Sequence, residues 1–150
     1  MPPIDTVIGY TPGLIGRVAE MHARYYAAHW GFGAYFEAKV ATELAGFIQA
    51  YDPARDRIWS VVRDGHVAAS ITIDGTSEGD NTAHLRWFIV SDRLRGQGVG
   101  TTLMAQAMAF CREVAFDRVI LWTFAGLDAA RHLYEKAGFT LVEEHRGDQW

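Results

Sequence analysis

Arg95-Gly96-Gln97-Gly98-Val99-Gly100-Thr101-Thr102 is the stretch of this chain best suited to hold an anion. Three glycines at alternate positions let the backbone bend tightly and bring several N–H groups to one point. An apolar run, Leu85 to Val90, precedes the stretch, and an amphipathic segment, Val99 to Val114, follows it. That pattern predicts a strand, a glycine turn and a helix. The turn is then also a helix N-terminus, with unpaired donors and the positive end of the helix dipole. A phosphate is the natural guest. Arg95 adds a charge, and Thr101 and Thr102 add hydroxyls. The stretch therefore reads as a pyrophosphate cradle for a nucleotide-like cofactor. It lacks the Gly-Lys-Ser/Thr of a P-loop, and its Gly-x-Gly-x-Gly differs from the dinucleotide fingerprint Gly-x-Gly-x-x-Gly.

Taken as Arg-x-x-Gly-x-Gly, through Arg95, Gly98 and Gly100, the turn resembles the acyl-CoA-binding motif of the GNAT superfamily of N-acetyltransferases. About thirty residues on, Leu133-Tyr134-Glu135-Lys136-Ala137-Gly138-Phe139 resembles a second signature of that superfamily, Leu-Tyr-Glu-Lys-x-Gly-Phe. The resemblance runs from about Ile4 to His145. More narrowly, Leu121-Trp122-Thr123-Phe124 and Leu127-Asp128-Ala129-Ala130-Arg131 are similar to GNAT domains that often follow a MarR-type winged helix, although no such DNA-binding domain lies in this sequence.

The resemblance implies acetyl-CoA as cofactor, bound across two splayed parallel strands, Thr82 to Val90 and Arg118 to Phe124. It implies that backbone N–H groups of Phe88, Ile89 and Val90 hold the pantetheine arm and polarise the thioester carbonyl, stabilising its developing charge without a charged side chain. The pyrophosphate would rest on Arg95, Gly96, Gln97, Gly98, Val99, Gly100 and Thr101. Tyr134 matches the family tyrosine that protonates or hydrogen-bonds the departing CoA thiolate. A phenol with a pKa near 10 is protonated at neutral pH and can act as that acid; the competing reading is a tyrosine packed in the core. His84 stands where some members carry a glutamate base. It titrates near neutrality and is either that base or a structural histidine, and many members use only a chain of water. Arg86 either orients an acidic acceptor or forms an ion pair. Leu127 replaces an asparagine that often contacts the CoA arm, so that contact is not implied here.

In the family the first two helices frame the acceptor. Here that region carries Tyr25, His29, Trp30 and Phe32, with Trp122 facing it from the splayed strand. Aromatic walls suit an apolar or aromatic acceptor, or cation–π recognition of an ammonium group. About half of the aromatics in this region are expected to be core. The implied function is acetyl transfer to a primary amine of a small molecule or peptide, by direct attack in a ternary complex. No cysteine is placed to carry an acetyl group, since Cys111 falls on an apolar helix stripe. The reading from another class is a CoA-binding sensor without turnover, kept open by the MarR-like segments and by Leu127.

The elements that must position these residues follow in order. Ile4 to Tyr10 reads as a strand, Leu14 to Ala28 as a helix ended by His29-Trp30-Gly31-Phe32-Gly33, and Tyr35 to Gln49 as a second helix. Arg57–Arg63 and His66–Asp74 flank Asp64-Gly65, a strong hairpin signal. Thr82–Val90 leads to the glycine turn and to a helix with a 3.6-residue stripe of Val99, Leu103, Ala107, Phe110, Cys111 and Val114. Arg118 to Phe124 is a dense apolar run that suits a strand buried on both faces. A helix over Ala129–Ala137, capped by Asp128 and ended by Gly138, and a strand over Thr140–His145 complete the chain. The order β-α-α-β-β-β-α-β-α-β predicts a mixed α/β (α+β) fold: a central sheet of about six strands, splayed between the fourth and fifth, with about four helices. It is the element order of the GNAT fold.

The 150 residues suit one domain, 1–150, and 49% of them are apolar, enough for a core. A net charge of −4 without a basic cluster sets nucleic-acid binding aside. No run approaches the length of a membrane span, no signal pattern opens the chain, and the single cysteine and histidine spacing offer no metal site. A cytoplasmic protein is expected. The chain ends eleven residues past Phe139, too soon for the full seventh strand common in the family. The sixth strand would then be left as an edge, be paired with a second subunit as a homodimer, or belong to a shortened chain.

Overall fold

Residues 6–122 and 128–139 are described by the structure, a computed structural model. Among them are the strands β1 (Thr6–Ile8), β2 (Arg57–Arg63), β3 (His66–Asp74), β4 (Thr82–Val90) and β5 (Arg118–Ile120). The helices are α1 (Leu14–Trp30), α2 (Ala34–Gln49), α3 (Val99–Val114) and α4 (Asp128–Lys136), with a 3₁₀ turn at Asp92–Leu94. Strand order in the sheet is β1-β2-β3-β4-β5. The first three pairings are antiparallel and β4–β5 is parallel.

Local chemistry accounts for much of this. Asp64 and Gly65 both have positive φ, 53° and 78°, the signature of a type I′ hairpin turn between β2 and β3. Gly31 takes the left-handed conformation and stops α1. His29 and Trp30 therefore belong to the last turn of α1, two residues beyond the expected break. α1 and α2 cover one sheet face. Leu14, Val18, Phe36, Val40, Leu44 and Phe47 pack there with Ile58, Val67 and Trp87. α3 covers the other face through Val99, Leu103, Met104, Ala107, Phe110 and Cys111, packed on Trp59, Ile71, Ile73 and Leu85. The helical stripe of Val99, Leu103, Ala107, Phe110 and Cys111 read from the sequence is thus the helix side of this second core.

β5 departs from expectation. Its described pairing ends at Ile120, Val119 and Ile120 are half-buried, and Trp122 is 61% exposed. The described part, Arg118 to Trp122, is thus not sealed on both faces. Thr123 and Phe124, Leu127, and the expected sixth strand, Thr140 to His145, lie outside the described residues.

Candidate active site

β4 carries the centre of the site, and a one-residue bulge sets its geometry. Ser70 pairs with Ile89 and Thr72 with Arg86, so Trp87 and Phe88 together oppose Ile71. Trp87 has φ 48°, the left-handed region that a bulky residue rarely enters. The buried Ser70 Oγ donates to the Trp87 carbonyl at 2.8 Å. The extra residue reverses which face each side chain meets. Ala83 and Leu85 lie in the core beneath α3, and after the bulge Phe88 and Val90 also pack against that core. Trp87 turns to the opposite core, edge-on to Phe47 with ring centroids 5.7 Å apart.

β5 pairs with only the first third of β4, Thr82↔Arg118, Ala83↔Val119 and His84↔Ile120. From Leu85 to Val90 that edge of β4 has no strand partner among the described residues. A slot is left whose wall is backbone, including Phe88, Ile89 and Val90.

At the end of β4 the chain enters the glycine turn. Gly96 and Gly98 have φ 78° and 76°, and Gly98 is the N-cap of α3. The N–H groups of Gly96, Gln97, Gly98, Val99, Gly100 and Thr101 donate to no acceptor among the described residues; helical bonding starts with Thr102 N–H to the Gly98 carbonyl, 3.0 Å. Six open donors at a helix start could receive an anion. Gly100 serves packing: a Cβ there would stand 3.3 Å from Leu133 Cδ1 and 3.5 Å from Phe88. Its absence brings the start of α3 against both α4 and β4. Arg95 Nε meets Asp92 Oδ1 at 2.7 Å, with both side chains mostly exposed. An exposed pair of this kind contributes at most about 1 kcal/mol, so a phosphate can draw Arg95 away.

Tyr134 reaches the slot from α4. The helix ends in a Schellman motif: Phe139 N–H donates to the Tyr134 carbonyl and Gly138 N–H to the Glu135 carbonyl, both 3.0 Å, with Gly138 at φ 103°. The accompanying apolar contact is Tyr134 on Phe139, ring centroids 6.2 Å apart. Tyr134 also meets Phe88 at 6.1 Å. Burial first, and the neighbouring Tyr26 hydroxyl second, push its pKa up, so the phenol stays protonated. Tyr26 comes from α1 on the other side of the sheet and is itself pushed up to about 12, mainly by burial.

His84 stands apart from this group. It lies four residues before Phe88 and on the face opposite Ala83 and Leu85. Its Nδ1 is 3.3 Å from Glu78 Oε1. Burial, then the Arg86 charge, lower its pKa to about 4, against the smaller opposing pull of Asp74 and Glu43. The ring is therefore neutral at pH 7. It can donate Nδ1–H to Glu78 and keep Nε2 as an acceptor. Arg86 is held by Glu43 at 3.0 Å and by Asp74 at 3.7 Å, with its guanidinium 4.2 Å over Trp87. Of its two expected roles, the ion pair is the one formed. A cavity of about 260 Å³ beside it is lined by Glu43, Phe47, Asp56, Asp74 and Arg86, so its rim is acidic.

The aromatic region is one connected cluster. Tyr25 touches His29 at 4.4 Å, Tyr26 stacks on Phe32 at 5.9 Å, and Phe32 meets Phe36 at 5.2 Å. Phe36 is buried and Tyr25 and Phe32 are half-buried, while His29, Trp30 and Trp122 are exposed. Cys111 is buried in the α3 core, where burial raises its thiol to about 12, so no thiolate is available. Among the described residues, no cluster of His, Cys, Asp or Glu could hold a metal ion.

Comparison with known proteins decides the family. The acetyltransferase (GNAT) family model matches residues 15–139. The chain belongs to the GNAT family. Human N-acetylaspartate synthetase is 33% identical over 117 residues, which are 77% of this chain and 38% of the synthetase. The chain thus spans well under half the length of that relative. A GNAT-family acetyltransferase from Staphylococcus aureus has the same fold, with a TM-score of 0.75 at 15% identity over 97% of this chain and 89% of that one. So does a predicted acetyltransferase from Clostridium acetobutylicum crystallised with acetyl-CoA, with a TM-score of 0.70 at 12% identity over 96% and 94% of the two chains. Both expected GNAT motifs lie inside the matched span. The bulge at Trp87, its partner Ser70 and the approach of Tyr26 carry no sequence signal: a tryptophan does not announce a left-handed residue as glycine or asparagine would.

Proposed function

We propose that this chain is an acetyl-CoA-dependent N-acetyltransferase, a single domain that moves an acetyl group to a primary amine by direct attack in a ternary complex. Three observations support the reading: β4 beyond His84 has no strand partner on the β5 side among the described residues, it runs into the Gly96–Thr101 turn whose N–H groups are open, and the Tyr134 ring meets Phe88 on it. A long thioester cofactor with a pyrophosphate at its far end has the matching chemistry. Gly96 to Thr101 and Arg95 take the pyrophosphate, and the β4 edge over Phe88, Ile89 and Val90 takes the amide-bearing arm.

In the reaction the amine nitrogen bonds to the thioester carbonyl carbon and the carbon–sulfur bond breaks. The β4 N–H groups stabilise charge developing on the carbonyl oxygen. Tyr134 donates a hydrogen bond to the departing sulfur. Its raised pKa makes it a strong holder of its proton, so hydrogen bonding is its main contribution. An acceptor arriving as ammonium gives one proton to water to free its lone pair before attack, and the nitrogen gives a second to water as the amide forms, CoA leaving as the thiolate. Burial and the Arg86 charge lower the His84 pKa to about 4, so in this reading it serves the fold and not the proton transfer. The acidic rim of Glu43, Asp56 and Asp74 favours an acceptor that arrives as an ammonium ion. Tyr25, His29, Trp30, Phe32 and Trp122 supply the aromatic side of the acceptor region.

The test is a thermal-shift comparison of CoA, ATP and NAD, followed by a CoA-release assay over amino acids, aspartate included, together with polyamines, aminoglycosides and peptide amines. Stabilisation by CoA alone and turnover with one amine class are expected. CoA binding with no turnover on any amine would instead identify a sensor module of the kind found beside MarR-type regulators. Stabilisation by ATP or NAD and not CoA would overturn both.

A further inference from the structure

We propose that Ser70 is a positioning residue for acyl transfer: by holding the Trp87 carbonyl it aims the Phe88 N–H into the slot, where a thioester carbonyl oxygen would sit. The inference rests on the acetyl-CoA reading above and adds to it a residue in neither sequence motif.

The bulge creates the need. Two residues of β4 oppose Ile71 alone, so the ladder cannot satisfy every backbone group there. The Trp87 carbonyl is the group left over, and Ser70 Oγ takes it at 2.8 Å. Ser70 is fully buried on β3 and Trp87 is 8% exposed, so water cannot replace this bond freely.

Peptide geometry carries the effect across. The described chain has no cis peptide, and in a planar trans peptide the carbonyl and the next N–H point in opposite directions. Ser70 draws the Trp87 carbonyl toward β3 and the face covered by α1 and α2. The Phe88 N–H must then point away from β3, to the edge of β4 that β5 leaves unpaired and toward the side where α4 stands. The Phe88 ring already touches Tyr134 on that side, at 6.1 Å. The donor and the Tyr134 ring therefore lie on the same side of β4, the first suited to the carbonyl oxygen and the second to the sulfur.

A left-handed tryptophan is strained by roughly 1–3 kcal/mol and persists only where its surroundings over-determine it. The Ser70 bond, the Phe47 contact and the Arg86 guanidinium over the ring are the restraints seen here. Without the bond the 87–88 peptide is free to rock, and the N–H loses its aim while the rest of the slot stays in place.

The experiment compares Ser70→Ala with Ser70→Cys and Ser70→Thr. Cysteine keeps nearly the same volume with a weak donor, and threonine restores a hydroxyl. Thermal melts establish that each variant is folded, calorimetry gives acetyl-CoA affinity, and steady-state assays give kcat and KM. Two readouts lie outside turnover: the Phe88 amide signal of the free protein by NMR, and the carbonyl stretch of bound acetyl-CoA labelled with ¹³C. For Ser70→Ala we expect acetyl-CoA affinity within about threefold of the parent, kcat lower by about 10- to 100-fold, a displaced Phe88 amide signal and a carbonyl stretch returned toward that of free acetyl-CoA. Ser70→Thr should recover most of kcat, and Ser70→Cys should fall between. An unchanged carbonyl stretch and kcat in folded Ser70→Ala or Ser70→Cys would overturn the role of Ser70 alone. A parent protein that binds no acetyl-CoA would overturn the cofactor reading and this inference together.

Discussion

Tyr134 is fixed from two sides, by a helix-end motif through its carbonyl and by Phe88 and Phe139 through its ring. Removing only its hydroxyl should leave those restraints intact. Tyr134→Phe is expected to keep acetyl-CoA affinity within a few-fold while kcat falls by about 10- to 100-fold, an interaction made mainly in the transition state. Equal turnover by parent and variant would leave Tyr134 a core residue. Buried His22 and half-buried His84 act on stability instead. His22, hydrogen-bonded through Nδ1 to the Val18 carbonyl at 2.9 Å, and His84 both have pKa values lowered to about 4, first by burial. Unfolded histidine titrates near 6.5. Between those values the unfolded chain binds more protons, so stability falls as pH drops from 6.5 toward 4 and is unaffected by these groups above that window. The loss approaches about 3 kcal/mol per histidine at the limit. Urea midpoints across pH 4–7 should show that slope, and His84→Asn should remove about half of it.

Whole elements are the most legible part of the sequence. Strands Arg57–Arg63, His66–Asp74 and Thr82–Val90 and helix Val99–Val114 have the bounds their apolar periods predict, because each buries one continuous face. Gly138 is readable as a helix stop for a similar reason: glycine meets no penalty at φ 103°. The cradle is readable from three glycines. The bulge is not, since it arises from the mismatch between β3 and β4 and no residue type in Arg86-Trp87-Phe88 requires it. His84 shows the other limit. Its residue type allows base chemistry, yet depth and the Arg86 charge move its pKa away from neutrality, and neither is written in local spacing. The aromatic run from Tyr25 to Phe36 mixes buried and exposed rings for the same cause. A test belongs to the cradle itself. Gly98→Ala places a Cβ at φ 76° and should cost about 1–2 kcal/mol, seen as a Tm lower by several degrees, with acetyl-CoA affinity reduced at least tenfold. Gly100→Ala meets the flexible end of Leu133 first and should cost less stability.

At the scale of the molecule, two helical layers enclose a sheet whose one described gap is the β4–β5 slot. No helix among the described residues is long and apolar enough to cross a membrane, and we carry a cytoplasmic location as a proposal. A homodimer through the sixth strand is likewise a proposal, because Thr140 to His145 fall outside the described residues. Size-exclusion chromatography with light scattering should give a mass near 33 kDa, twice the 16.7 kDa of the chain; a mass of one chain at all concentrations would remove the dimer.

Neighbours in the sheet are also neighbours in the sequence. β3 and β4 can therefore each join the edge left by the preceding strand through a short loop, whereas β1 meets β2 only after α1 and α2 have been made. The β4–β5 pairing spans α3 and is three residues long. During synthesis the antiparallel part and its two covering helices can assemble first, and the far wall of the slot is the last to close.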